Sequence, residues 1–198
     1  TMKIMGKEYD SLKPKQALEA GVAIIHQELN MCKDLNVTEN MFLGREHVNG
    51  MVLDNSEMES VAQKYLDDLG VDIDPRETVG NLPVSKQQMI EIAKALSVNA
   101  RILIMDEPTS ALTSREIKEL FSIIQRLKSQ GCGIVYISHR LEEIFEICDE
   151  ITVLKDGTYV DTVRTSDIDQ DGLVGMMVGR SMDNYFPERH ARIGDTVM

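Results

Sequence analysis

Ile102-Leu103-Ile104-Met105-Asp106-Glu107-Pro108-Thr109-Ser110 is the stretch from which the fold can be read. Four apolar residues run without alternation into two adjacent carboxylates, and a proline closes the run. A short unbroken apolar segment predicts a strand buried on both faces, as in the middle of a parallel sheet. Such a strand offers a charge no favourable place, so Asp106 and Glu107 are expected where it emerges. Ligands of open α/β sheets gather at the carboxyl ends of strands. An Asp there can hold Mg²⁺, directly or through water, and a following Glu can orient an attacking water. A strand ending in an acidic turn is also common without any such role, so the doublet needs companions.

Two further apolar runs supply them. Gly21 precedes Val22-Ala23-Ile24-Ile25, and polar His26-Gln27-Glu28 follow; Ile134-Val135-Tyr136-Ile137, read as another buried strand, ends in Ser138-His139-Arg140. If the strands are parallel neighbours, Gln27, Asp106, Glu107 and His139 share one edge of the sheet. A metal ligand, a water-orienting acid and a group able to touch a γ-phosphate suffice for phosphoryl chemistry, because that catalysis is mostly positioning and charge stabilisation.

The remaining elements surround this edge. Residues 2–5 read as a strand entering a turn at Gly6-Lys7, and a helix is expected around 14–20. From about Cys32 to Asn99 the pattern is helices and loops. Ser56 and Glu59 form a capping-box pattern ahead of the stripe Met58, Val61, Ala62, Tyr65, Leu66 and Leu69, with Gly70 at the C′ position. Ser85 and Gln88 repeat the capping pattern before Met89, Ile92, Ala93 and Leu96; a helix N-terminus of this kind can receive a phosphate. Thr113 with Glu116 opens another helix, stopped by Gly131. A helix over 141–148 leads to a strand at 151–154, and Asp156-Gly157 is the dipeptide of a type I′ hairpin returning through 158–164. A last helix spans about 167–178 and gives way at Gly179.

Composition limits the functional classes. The 198 residues carry 33 acidic and 21 basic side chains, a net charge of −12. That argues against a protein whose main business is binding nucleic acid or anionic membranes. Cys32, Cys132 and Cys148 are too few and too scattered for a disulfide framework or metal knuckle, and suit a reducing cytoplasm. No apolar run approaches the ~20 residues needed to span a bilayer, so membrane association is expected only through a protein partner. Because strand-like sequence begins at Thr1, the chain is expected to be a fragment.

Over essentially its whole length the chain resembles the nucleotide-binding subunits of ABC transporters. Met105 to Leu112 looks like the Walker B strand and D-loop, Ile25-His26-Gln27-Glu28 like the Q-loop, and Tyr136-Ile137-Ser138-His139-Arg140 like the switch-histidine loop. Leu82-Pro83-Val84-Ser85-Lys86-Gln87-Gln88-Met89 stands where the family's Leu-Ser-Gly-Gly-Gln signature lies. The runs 25–30 and 134–140, Glu142 to Asp149, and Met176-Met177-Val178-Gly179-Arg180 further resemble bacterial sugar-importer ATPases of the ribose and galactose type, here the first of two tandem cassettes.

The resemblance implies an α/β, P-loop NTPase-like cassette, partial at its N-terminus, with a mostly parallel sheet flanked by helices plus a helical subdomain. Residues 1–31 and 99–180 would form the ATP-binding core, 32–98 the helical subdomain and 181–198 an inter-cassette linker. Glu107 would polarise the attacking water, His139 would contact the γ-phosphate, and Asp106 and Gln27 would serve Mg²⁺. Gln27 would also link the site to the helical subdomain. The signature region would reach ATP held by a second cassette paired head to tail. Implied partners are membrane permease subunits and, indirectly, a periplasmic sugar-binding protein, with the chain on the cytoplasmic face of the inner membrane and no nucleic acid involved.

The sequence departs from the family at two places. Gly-x-x-x-x-Gly-Lys-Ser/Thr is absent; the segment from Gly172 to Ser181 lacks the Lys and has the wrong glycine spacing. The family's P-loop lies shortly upstream of the position matching Thr1, so the chain alone is expected to bind ATP weakly and to be inactive. In the signature, Pro83 replaces the serine, Val84 and Ser85 replace both glycines, and Lys86 replaces Gln, leaving Ser85 and Lys86 as substitute phosphate contacts. Thr113 stands where the D-loop often has Asp. The other readings are a non-transport ABC ATPase of the translation or DNA-repair type and a non-catalytic assembly module.

Overall fold

A computed structural model describes residues 1–50, 52–98 and 100–178. In chain order the elements are β1 (Met2–Ile4), β2 (Lys7–Tyr9), α1 (Pro14–Glu19), β3 (Val22–Ile25), α2 (Val37–Phe42), β4 (Val48–Asn49), β5 (Val52–Leu53) and α3 (Asn55–Asp68). There follow α4 (Val84–Leu96), β6 (Ile102–Asp106), α5 (Ser114–Ser129), β7 (Gly133–Ile137), α6 (Leu141–Ile147), β8 (Glu150–Lys155), β9 (Thr158–Arg164) and α7 (Gln170–Val178), with 3-10 turns at Val79–Asn81 and Thr165–Asp167. Among the described residues no helix is long and apolar enough to cross a membrane. The chain divides into two compact units, Thr1–Glu143 and Ile144–Met198.

The first unit is organised by a parallel sheet of order β3-β6-β7, as the three apolar runs predict. Ile25 pairs with Met105 and Met105 with Tyr136, so the strands end level with one another. The predicted burial on both faces is corrected. Ala23, Ile25, Leu103 and Met105 are buried on one face, where α4 packs against β3 and α5 against β7. On the other face Ile24 is 45% and Val135 49% exposed, aligned across the sheet through Ile104. An apolar run cannot report which faces are covered; it states only that neither face repels cover.

Three helices, α2, α3 and α4, pack on one another within residues 32–98. Met41, Leu66, Leu69, Met89, Ile90 and Ile92 are fully buried there. Two cap readings are corrected. Helix α3 is capped by Asp54, whose side chain accepts from Glu57 N at 3.0 Å, two residues before the Ser56–Glu59 pattern. Helix α4 begins at Val84 behind Pro83 with no side-chain cap, so the Ser85–Gln88 pattern lies inside the helix. Thr113 and Glu116 do form the predicted capping box of α5. Helix α2, capped by Asn36 and Glu39, and the β4–β5 hairpin went unread in the sequence. The 2–5 segment is not a lone strand: a turn at Met5-Gly6 folds β1 back onto β2.

In the second unit β8 and β9 pair antiparallel through Asp156-Gly157, whose φ values of 50° and 73° are those of the predicted I′ turn. Helix α7 packs on β8 through Leu173, and Lys155 Nζ donates to the Val178 carbonyl at 2.6 Å. Gly179 and the predicted linker 181–198 lie outside the described residues.

Candidate active site at the sheet edge

Parallel strands deliver their last residues to the same edge. Asp106 ends β6 beside Ile137, and the next amide, Glu107 N, donates to the Ile137 carbonyl at 2.9 Å, so the ladder continues one step past the strand. Glu107 then turns with φ +46°. That left-handed conformation is costly for a residue with a Cβ and marks a position where surrounding structure overrides local preference. The turn aims the carboxylate back across the strand ends.

Both oxygens of that carboxylate are engaged. Gln27 Nε2 donates to Oε2 at 3.0 Å, and His139 Nδ1 lies 2.9 Å from Oε1. An ionised carboxylate only accepts, so Nδ1 carries the proton and Nε2 of His139 is the ring nitrogen available to a ligand. Glu107 is only 25% exposed while His139 is 71% exposed, so the pair has a sheltered anchor and an accessible tip. A cavity of about 210 Å³ opens beside them, lined by residues that include Thr109, Ser110, Ser138 and Arg140. A larger cavity of about 390 Å³ includes Arg101 and Cys132, which precede β6 and β7, and so lies toward the opposite end of the strands.

Asp106 is half-buried next to Glu107. Its carboxylate and the Gln27 side-chain oxygen are hard oxygen donors. Among the described residues no group of three or more His, Cys, Asp or Glu gathers to hold a metal by itself. Mg²⁺ does not require one, since it usually takes one or two protein ligands and completes its shell with water and phosphate. The donor set therefore fits Mg²⁺ bound with a phosphate ligand.

Ser85 and Lys86, in the first turn of α4, have other partners. Lys86 Nζ donates to the Asp72 carbonyl at 2.8 Å, and Ser85 is among the groups that lower the Glu116 pKa. Burial works to raise the Glu116 pKa, but hydrogen bonds from the Thr113 amide and hydroxyl and from Ser85 outweigh it and hold the carboxyl below its ordinary value. The structure thus gathers Gln27, Glu107 and His139, and places Ser85 and Lys86 in a different set of contacts.

One residue beside the site had no sequence signal. Glu143 follows another acid on a short helix and reads as a solvated charge, yet it is 4% exposed. Its Oε2 accepts from Thr109 Oγ1, Tyr136 OH and Ser138 Oγ at 3.0, 2.7 and 3.1 Å. Its Oε1 pairs with Arg140 Nη1 at 2.8 Å.

The profile of the ABC transporter family matches residues 1–110. The galactose/methyl galactoside import ATP-binding protein MglA of Salmonella typhimurium is 51% identical over 193 residues, spanning 98% of this chain and 38% of that protein. The protein of the same name from Escherichia coli is 49% identical over 198 residues, spanning all of this chain and 39% of its own length. This chain therefore spans under two-fifths of the length of these curated relatives. Among solved structures, an ATP-binding cassette dimer in a post-hydrolysis state with ADP and Pi superposes with a TM-score of 0.71 at 20% identity, over 82% of this chain and 72% of that one. The ADP conformation of a cassette from an ABC transporter superposes with a TM-score of 0.64 at 22% identity, over 83% and 67%.

Proposed function

This chain belongs to the ABC transporter family, and from that premise we propose that it is part of an ATP-hydrolysing subunit energising import of a galactose-type sugar. The observation that carries the proposal is the convergence of Gln27 and His139 on the Glu107 carboxylate at one edge of the parallel sheet. The sugar class is suggested by the import proteins that match the chain at 49–51% identity.

Each side chain then has one task. Glu107 is the base that orients water and accepts its proton. Its position between Gln27 and His139 keeps the carboxylate aimed before the substrate arrives, which is how positioning lowers a barrier. His139, with Nδ1 held by Glu107, turns Nε2 toward the γ-phosphate. Asp106 and the Gln27 amide oxygen would hold Mg²⁺, which would supply neutralisation of charge on the phosphates. Ser85 and Lys86 belong to the signature region and are assigned to the ATP of a second cassette in a head-to-tail pair. Residues 1–31 with 99–180 are assigned to the nucleotide core, 32–98 to the helical subdomain and 181–198 to a link toward a second cassette. Membrane permease subunits are the partners that convert closure into transport, with a periplasmic sugar-binding protein acting through them from the far side. The chain acts on the cytoplasmic face of the inner membrane, bound there through those subunits.

The test is ATP turnover by the protein in its transporter assembly. Glu107→Gln should leave ATP binding near wild type and lower turnover by about 10²–10⁴-fold, the range for loss of a general base. Wild-type turnover in that variant would remove Glu107 from the mechanism. The 198-residue sequence contains no Gly-x-x-x-x-Gly-Lys-Ser/Thr loop. Calorimetric titration of this chain alone with Mg-ATP should accordingly show millimolar-range binding or none; micromolar binding would place the phosphate cradle in a segment assigned here to packing.

A further inference from the structure

We propose that Glu143 is a positioning residue that sets the spacing of Glu107 and His139 by tying the loop after β6 to the loop after β7; the inference rests on the hydrolytic reading of those two residues. Thr109 lies two residues beyond Glu107 and Ser138 immediately precedes His139, and both donate to the same Glu143 oxygen, at 3.0 and 3.1 Å. Tyr136, paired with Met105 one residue before the end of β7, donates to that oxygen as well, at 2.7 Å. Arg140, directly after His139, forms an ion pair with the other oxygen at 2.8 Å, without the alignment of a hydrogen bond. Ser138 Oγ also accepts from Arg140 N at 3.0 Å, so the residues flanking His139 are bound to each other and to Glu143.

Chemistry explains why the knot needs an anion. Three hydroxyl protons converge on one oxygen, and an ionised carboxylate accepts on both oxygens with no donor of its own to place. The negative charge strengthens each bond and answers the Arg140 guanidinium. A carboxylate 4% exposed is expensive to bury, and an apolar side chain in its place would leave the Arg140 guanidinium and three hydroxyls without their partner. Nor could an apolar side chain hold two loops at a fixed separation. Neither Glu107 nor His139 is among the partners of Glu143 described above, so its influence passes through Thr109 and Ser138. Misplacement of a reacting group by about 1 Å can cost about 10²-fold in rate.

The experiment is steady-state ATP hydrolysis by the transporter-assembled protein carrying Glu143→Gln, which keeps the volume and removes the charge. The expected result is a fall in kcat of about tenfold or more, with KM for ATP and the stoichiometry of bound nucleotide at wild-type values. Unchanged stoichiometry separates misplacement from a fraction of unfolded protein. Should Glu143→Gln fail to fold, Thr109→Val and Ser138→Ala each remove one donor from the loop side and should each lower kcat with KM unchanged. Wild-type kcat in the folded Glu143→Gln protein, or in both donor variants, overturns the proposal, as does a loss confined to KM or to stoichiometry. Glu107→Gln and His139→Ala run alongside. If they retain wild-type turnover the site reading itself fails, whereas their loss beside a fully active Glu143→Gln sinks only the positioning role.

Discussion

Glu107 and Glu91 show how one residue type takes opposite roles under different surroundings. Glu107 has a donor on each oxygen and a side face open to a cavity. Glu91, on the buried side of α4, is 5% exposed, and its Oε2 has no hydrogen-bond partner; Gln88 Nε2, one turn earlier, is likewise unpartnered. Burial pushes the Glu91 pKa up, against the weaker opposing pull of Lys94 and His26. The folded chain therefore binds this proton more tightly than the unfolded chain. The stability that Glu91 contributes is fully present below the ordinary carboxylate pKa and is lost as pH rises through the raised value. Glu91→Gln removes that loss. It should match wild type near pH 4 and exceed it by roughly 1–2 kcal/mol at pH 8, the cost of an unpaired buried polar charge at the low end; urea melts at both pH values check this. Equal stability at pH 8 would mean that the charge is solvated. At this scale the sequence showed the Asp106-Glu107 doublet, Gln27 and His139 because each follows an apolar run. It did not show Glu143 or Glu91, because a charged residue on a helix carries no local mark of burial.

Elements were legible where the signal is local and failed where two local signals compete. The Thr113–Glu116 box and the Asp156-Gly157 turn stand alone in their segments and form as read. Before α3, Asp54 and Ser56 both qualify as caps, and the structure uses Asp54. An N-terminal β5 strand ending at Leu53 leaves Asp54 as the first residue able to turn into the helix. Asp54→Ala should therefore cost about 1 kcal/mol, the usual worth of such a cap, while Ser56→Ala inside the first turn should cost nothing or stabilise slightly. Thermal denaturation of the two variants decides it; the reverse order would restore Ser56 as the cap. Before α4 the capping pattern of Ser85 loses to Pro83, whose fixed φ and missing N–H suit a helix start and begin the helix two residues earlier. Helix α2, only six residues long, and the two-residue strands β4 and β5 fall below the length at which periodicity can be seen.

At the scale of the molecule, the parallel order β3-β6-β7 followed from three apolar runs separated by helical segments, the pattern of βαβ crossovers. The division into Thr1–Glu143 and Ile144–Met198 was not legible, since it falls inside α6, where the sequence offers neither glycine nor proline. Nor was it legible that the sheet is covered on one side. Val22, Ile24, Ile102, Ile104, Val135 and Ile137 alternate with the buried set and form a continuous apolar face, part-buried or exposed throughout. A surface of this kind governs colloidal behaviour more than folding. Dilute chain should brighten a hydrophobic reporter dye while still natively folded, and light scattering should grow with concentration. Val135→Lys, placing a charge on its exposed β7 side, should suppress both without lowering the melting temperature by more than a few degrees, whereas an unchanged scattering curve would locate the stickiness elsewhere. The side chains that make this sheet easy to recognise in sequence are thus the ones expected to draw chains together in solution.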